Sequence, residues 1–183
     1  MKNLNIDSNW TIFLDRDGVI NEKKENDYVK TWDDFSFIHN ALQAISDLSK
    51  RCGRILVVTN QRGVGKGLMT EDELITIHEK MCKGINEESG RIDKIYYCTD
   101  KSESSEFRKP NVGMALMAQR DYPEINFFKS IMIGDSISDM FFGKGLGMTC
   151  FYIGEEIPLE GSGIIDARFK SLYDCASCLI DEI

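Results

Sequence analysis

Short apolar runs that alternate with longer amphipathic segments constrain the fold of this chain more than any other feature. Residues 11–14 and 55–58 are almost wholly apolar, and residues 95–98, 131–133 and 148–153 repeat the pattern. Runs of this kind are typical of strands whose two faces are both buried in a sheet. The sequence therefore predicts five buried strands.

The segments between these runs carry helical patterns. Apolar side chains recur at steps of four, three and three within residues 38–50, which predicts a helix there. Thr70 and Glu73 form a capping box, which predicts a helix that starts at this point and continues through residue 81. Residues 155–163 are expected to form a loop, and residues near 166–180 a last helix.

Strands that alternate with helices at this spacing imply right-handed βαβ units and a mainly parallel sheet. The expected fold is a three-layer, doubly wound α/β architecture with helices on both faces of the sheet. At 183 residues and without an interdomain linker, residues 1–183 are expected to form one domain.

The charge balance narrows the classes of partner. The formal net charge is −8, from 30 acidic and 22 basic side chains, and such a field disfavours nucleic acid and anionic membrane surfaces.

No run reaches the ~18 apolar residues of a membrane span, and the N-terminus lacks a signal-peptide pattern. The six cysteines are too scattered for a disulfide framework. We expect a cytoplasmic protein and a monomer.

Polar residues cluster directly after the predicted strands, where open α/β sheets bind their ligands. A fourth cluster lies between the third and fourth strands. The four clusters comprise Asp15, Asp17 and Gly18; Thr59, Asn60 and Gln61; Arg108 and Lys109; and Asp135 and Asp139. We expect these side chains to converge on a single site.

Four converging aspartates require a compensating cation. Two carboxylates about 4 Å apart repel by roughly 4 kcal/mol at an effective dielectric near 20. Hard carboxylate ligands favour Mg²⁺, which also binds substrate phosphate. Beside such a cation, Asp15 can attack phosphorus as a nucleophile, and Asp17 is placed to protonate the leaving group and then to activate water.

In these motifs the sequence resembles the haloacid dehalogenase superfamily. Asp15-Arg16-Asp17-Gly18-Val19, Thr59, Lys109 and the stretch from Gly134 to Asp139 match its four motifs in order. The resemblance implies that Asp15 is the nucleophile and a Mg²⁺ ligand, and that Asp17 is the acid/base and a ligand through its backbone carbonyl. It also implies that Thr59 and Lys109 bind the phosphoryl group, that Asp135 binds Mg²⁺, and that Asp139 orients Lys109 or lies in the metal's outer shell.

More narrowly, FLDRDGVIN, TNQRGVGKG, RKPNVGM and MIGDSISDM resemble the branch that holds heptose-bisphosphate and histidinol-phosphate phosphatases. This implies a small phosphorylated substrate, no large cap domain, and substrate contacts from Asn60, Gln61 and Arg108. Lys66 is a further expected phosphate contact. We expect heptose bisphosphate as the substrate, with histidinol phosphate as the alternative. A polynucleotide 3′-phosphatase and a catalytically silent binding module remain as other hypotheses.

One departure from the branch concerns zinc. Many relatives bind structural zinc through four cysteine and histidine ligands before the Arg-Lys-Pro motif. Here only Cys98 of that set is present, and Ser105 and Phe107 stand at the positions of the last two ligands. We therefore expect Mg²⁺ and no zinc.

Overall fold

The computed structural model describes residues 4–159 and 163–181, and within them six strands form one parallel sheet. The strands are β1 (Thr11–Leu14), β2 (Arg54–Asn60), β3 (Lys94–Cys98), β4 (Ser130–Gly134), β5 (Thr149–Ile153) and β6 (Ala167–Phe169). Their order across the sheet is β3-β2-β1-β4-β5-β6, and every pair is parallel. The five predicted strands are confirmed, and β6 was not predicted.

Helices cover both faces of the sheet. They are α1 (Ala41–Ser49), α2 (Arg62–Gly65), α3 (Glu71–Glu87), α4 (Gly113–Asp121), α5 (Ile137–Lys144) and α6 (Leu172–Asp181), with short 3₁₀ helices at Trp32–Asp34 and Phe127–Lys129. On β1, Ile12 and Leu14 belong to the apolar cluster that includes α1, α3 and α6, whereas Phe13 belongs to the cluster with α4 and α5. The alternation of side chains along a strand thus supplies two cores, and the doubly wound three-layer prediction is confirmed.

Two predicted helices have different bounds from those expected. The helix predicted over 38–50 begins only at Ala41, because Asn40 adopts a left-handed conformation with φ of 61°. The helix predicted near 166–180 is wrong in its first part, where β6 pairs with β5. That helix begins at Leu172, after the Ser171 hydroxyl accepts a 3.1 Å hydrogen bond from the Asp174 amide.

The predicted Thr70 capping box is confirmed, since the Thr70 hydroxyl accepts from the Glu73 amide and α3 then runs from Glu71 to Glu87. Of the predicted 155–163 loop, residues 155–158 carry neither helix nor strand, and residues 160–162 lie outside the described residues. None of the helices in the described part of the chain combines the length and the apolar content that crossing a bilayer requires.

The strand order places β1 at the point where the sheet winds in two directions. The chain passes from β1 to β2 and β3 on one side, and β4 to β6 lie on the other side. A crevice opens beyond the carboxyl ends of strands at such a switch point. Within residues 4–159 and 163–181 there is no second sheet that would cover this crevice as a cap.

Candidate active site

A cavity of about 250 Å³ lies beyond the carboxyl ends of β1, β2 and β4. Its walls include six of the residues that the sequence singled out, namely Asp15, Asp17, Thr59, Asn60, Lys109 and Asp135. Because parallel strands end at the same edge of the sheet, side chains that follow different strands meet here. The predicted convergence of the clusters is therefore present in the structure.

Three carboxylates form an acidic cluster, of which Asp15 and Asp135 line the cavity. Asp15, Asp135 and Asp139 each place an oxygen atom within 4.8 Å of the others. Asp135 Oδ1 is buried and has no hydrogen-bond partner, so one of its oxygens is available to a ligand. Hard oxygen donors with an unpartnered buried atom fit Mg²⁺, for which Asp15 and Asp135 are the side chains best placed.

Lys109 supplies the positive charge at the centre of the cluster. Its side chain is 1% exposed, and Nζ lies 3.0 Å from Asp15 Oδ1 and 2.5 Å from Asp139 Oδ1. Nζ also donates to the Val58 carbonyl at 2.7 Å. Burial lowers the pKa of Lys109, but the charges of Asp139 and Asp15 outweigh burial and hold that pKa above its usual value.

Asn60 fixes the backbone of Lys109. The Asn60 side chain donates to the Lys109 carbonyl at 3.1 Å and accepts from the Lys109 amide at 3.0 Å. The end of β2 is thereby tied to the loop that carries the lysine. Asn60 lines the cavity as well, so it can serve the site both by holding Lys109 and by contacting a ligand.

The two aspartates of the first motif have opposite environments. Burial, together with the charges of Asp139, Asp135 and Asp17, raises the pKa of Asp15 to about 7 against the opposing charge of Lys109. Burial also raises the pKa of Asp17. The charge and hydrogen bonds of Arg16, and the hydrogen bonds of Asn21 and Gln61, outweigh burial and hold the pKa of Asp17 below its usual value. Without a cation, Asp15 is partly protonated near neutral pH, so a divalent ion that favours the carboxylate also favours the nucleophilic form.

Asp17 is held by a ring of donors. Arg16 Nη2 donates to its two oxygens at 2.8 and 2.9 Å, Asn21 Nδ2 donates at 2.9 Å and Gln61 Nε2 donates at 2.9 Å. Gln61 is 2% exposed and donates to the Thr59 hydroxyl at 2.8 Å as well. The structure thus places Gln61 behind the cavity wall, where it positions Asp17 and Thr59.

The other two expected substrate contacts lie outside the cavity lining. Arg108 Nη1 is buried without a hydrogen-bond partner, and burial and the nearby Arg62 charge lower the pKa of Arg108. Lys66 Nζ lies 5.2 Å from the ring centroid of Tyr28, which does line the cavity. Their contact with substrate stays a prediction.

Gly18 of the first motif and Asp139 of the last motif have structural roles at this edge of the sheet. Gly18 has φ of +86°, and a Cβ atom there would lie 2.2 Å from Asp135 Oδ2, so glycine lets the loop pass close to that carboxylate. Asp139 is fully buried, and its Oδ2 accepts from the Ser136 amide at 3.0 Å and the Ser136 hydroxyl at 2.6 Å. These bonds hold Asp139 beside Lys109.

The segment that follows the first motif also lines the cavity, although the sequence did not single it out as part of the site. Lys23, Lys24, Asp27, Tyr28 and Val29 all line the cavity. Lys23 Nζ lies 2.6 Å from Asp135 Oδ2 although the lysine side chain is 55% exposed. The available signal was a pair of lysines a few residues after the first motif in an otherwise acidic chain.

Polar side chains hold the loop over residues 99–107. The Ser105 hydroxyl donates to Asp100 Oδ2 at 2.5 Å, and Cys98 Sγ lies 3.8 Å from both side chains. Asn111 Nδ2 donates to the Ser105 carbonyl at 2.8 Å. A hydrogen-bonded network thus lies where relatives were expected to bind zinc, and the expectation of no zinc stays a prediction.

Comparisons with known proteins agree on one family. The family model described as polynucleotide kinase 3 phosphatase matches residues 11–153. A heptose-1,7-bisphosphate 7-phosphatase of Mycobacterium bovis, named for the D-glycero-α-D-manno sugar, is 34% identical over 171 residues, which cover 91% of this chain and 90% of the relative. An Escherichia coli O6:H1 protein named for the β sugar is 40% identical over 174 residues, which cover 89% and 90%.

Solved structures indicate the same family as the sequence comparisons. A D,D-heptose 1,7-bisphosphate phosphatase from B. bronchiseptica, crystallised with magnesium and phosphate, matches with a TM-score of 0.86 and 27% identity over 95% of this chain and 99% of that chain. The Burkholderia thailandensis D,D-heptose 1,7-bisphosphate phosphatase matches with a TM-score of 0.67 and 26% identity, over 91% of this chain and 96% of that chain. The motifs, the fold and these relatives together show that the chain belongs to the haloacid dehalogenase superfamily of phosphatases, in the branch of the heptose-bisphosphate phosphatases.

Proposed function

We propose that this protein is a Mg²⁺-dependent phosphatase that removes the 7-phosphate of D-glycero-D-manno-heptose 1,7-bisphosphate, with Asp15 as nucleophile. The observation that carries the substrate is the identity of 34–40% with heptose-bisphosphate phosphatases over about 90% of the chain. The geometry supports the chemistry, because nucleophile, acid/base, phosphate-binding groups and acidic cluster surround one cavity.

In the first step an Asp15 oxygen attacks phosphorus and the bond from phosphorus to the sugar oxygen breaks. Asp17, once protonated, gives its proton to the leaving sugar oxygen. The Lys109 ammonium and the Thr59 hydroxyl bind the oxygens of the phosphoryl group during transfer. The products of this step are the free sugar hydroxyl and an aspartyl-phosphate on Asp15.

In the second step Asp17 acts as a base. It takes a proton from a water molecule, whose oxygen attacks phosphorus, and the bond between phosphorus and Asp15 breaks to release inorganic phosphate. The low pKa of Asp17 in this structure corresponds to the carboxylate form that this step requires. Mg²⁺ held by Asp15 and Asp135, with the Asp17 backbone carbonyl, would neutralise charge that develops on the transferred group.

The test is phosphate release from a panel of compounds, with Mg²⁺ and with EDTA. The panel contains the α and β anomers of the heptose bisphosphate, heptose 7-phosphate, histidinol phosphate and a 3′-phosphorylated oligonucleotide. We expect the highest kcat/KM on one heptose bisphosphate anomer, with a need for Mg²⁺. Asp15→Asn removes the nucleophile at nearly constant volume, so it should abolish release while its circular dichroism spectrum stays that of the wild type.

Three outcomes would replace this proposal. Highest activity on the oligonucleotide would support the description of the matching family model, although the net charge of −8 disfavours a nucleic-acid substrate. Highest activity on histidinol phosphate would support the other substrate of the branch. A lack of release from every compound would favour a silent binding module.

We also propose that the enzyme is a cytoplasmic monomer, for which light scattering after gel filtration should give a mass near 20.8 kDa.

A further inference from the structure

A buried arginine connects the first motif to helix α3. Arg16 is fully buried between Asp15 and Asp17, and its Nη2 donates to both oxygens of Asp17. Its Nη1 lies 3.3 Å from Nε2 of His78, which is 62 residues further along the chain. A guanidinium has donors and no acceptor, so Arg16 donates and Nε2 is the unprotonated nitrogen of the ring.

The surroundings of His78 keep this nitrogen free to accept. His78 is 6% exposed and packs against Tyr97, with ring centroids 5.6 Å apart. Burial and the charge of Arg16 lower the pKa of His78 to about 3, so the ring is neutral under physiological conditions. The Nε of Arg16 is buried without a partner, so Asp17 and His78 are the side chains that orient the guanidinium in the described part of the chain.

We propose that His78 is a positioning residue for the phosphatase reaction. By accepting from Arg16 Nη1, His78 holds the guanidinium in the orientation in which Nη2 donates to both oxygens of Asp17. Asp17 is thereby aligned with the leaving group and with water. The inference rests on the proposed role of Asp17 as the acid/base. Asn21 and Gln61 also hold Asp17, so loss of His78 weakens this alignment and does not remove it.

Kinetics of three variants test the proposal on the heptose bisphosphate. His78→Leu replaces the imidazole with an apolar side chain of similar size that has no acceptor, and we expect kcat to fall at least about tenfold with KM within about twofold. His78→Gln restores an acceptor oxygen, and we expect kcat within about threefold of the wild type. Leu74→Ala, also buried in α3, serves as the control that loses stability but keeps its kcat per folded molecule.

The outcome that overturns the proposal is equal kcat for His78→Leu and the wild type, or an equal fall for the Leu and Gln variants. The second pattern would show that His78 matters only through packing. A fall in kcat for Leu74→Ala as large as that for His78→Leu would likewise show that His78 acts only through packing.

A spectroscopic measurement tests the contact without any substrate. The chain has two histidines, and His39→Gln leaves His78 as the only imidazole. Long-range ¹⁵N–¹H correlation at neutral pH should show a neutral ring with the proton on Nδ1. A proton on Nε2, or a charged ring, would overturn the proposal, whereas a wild type without phosphatase activity and with the expected tautomer would count against the proposed function only.

Discussion

Replacement of Lys109 by methionine tests the electrostatics of the site most directly. Methionine matches the length of the side chain but removes the charge that lies 3.0 Å from Asp15 and 2.5 Å from Asp139. At an effective dielectric near 20, each of these contacts corresponds to about 6 kcal/mol of attraction before the cost of burial. Removal of one partner from a buried ion pair typically costs about 3–5 kcal/mol, and we expect a loss of that size in the free energy of unfolding.

The loss should depend on pH. The charge of Lys109 lowers the pKa of Asp15, so its removal raises that pKa further above the unfolded value. A carboxyl group whose pKa is higher in the folded state takes up a proton on folding, and stability then falls as pH rises through the folded pKa. The variant should therefore lose more stability at pH 8 than at pH 5, and Mg²⁺ should restore part of it.

Urea unfolding followed by circular dichroism, with EDTA and with Mg²⁺, measures these differences. Lys144→Met is the matched control, because Lys144 Nζ lies 2.5 Å from Asp166 with side chains 30% and 41% exposed. An exposed pair of this kind contributes less than about 1 kcal/mol. Equal losses for the two variants at pH 8, or a Lys109→Met loss that is the same at pH 5 and pH 8, would refute the reasoning.

Three further expectations follow from the described contacts. Gly18→Ala should weaken Mg²⁺ binding by calorimetry at least about tenfold, because the added Cβ displaces Asp135 and φ is positive; unchanged affinity would contradict this. Thr70→Ala should lower the free energy of unfolding by about 1 kcal/mol through loss of the capping box, with kcat unchanged. The metal-free wild type should melt at progressively lower temperature as pH rises from about 4 to about 7, because burial raises the pKa of Asp15 to about 7; a flat profile in EDTA would exclude this.

Strands β1, β2, β4 and β5 could be predicted because their central residues are buried on both faces of the sheet and are mostly apolar. Strand β6 gave no such signal, since Ala167–Phe169 is short, lies at the edge of the sheet and contains the exposed Arg168. The start of the last helix depended on the hydrogen bond between Ser171 and Asp174, which periodicity does not reveal.

The site could be predicted as far as strand ends determine it. Asp15, Thr59 and Asp135 lie at the carboxyl ends of parallel strands, so their proximity is a property of the topology. The direction of each side chain depends on contacts that are remote in sequence. Gln61 turns inward to Asp17, and Lys23 reaches across the crevice to Asp135, because of neighbours that local patterns do not specify.

The position of β1 has a consequence for the growing chain. β1 takes one neighbour, β2, soon after it is made, but its other neighbour is β4, and Asp135 lies 120 residues after Asp15. Until β4 is synthesised, one edge of an almost wholly apolar strand has no partner, and such an edge can pair with other chains. Two ligands of the proposed metal site are both present only when about three quarters of the protein exists. Binding of the cation by Asp15 and Asp135 together therefore reports that β4 has joined β1, while β5 and β6 are still to be added to the sheet.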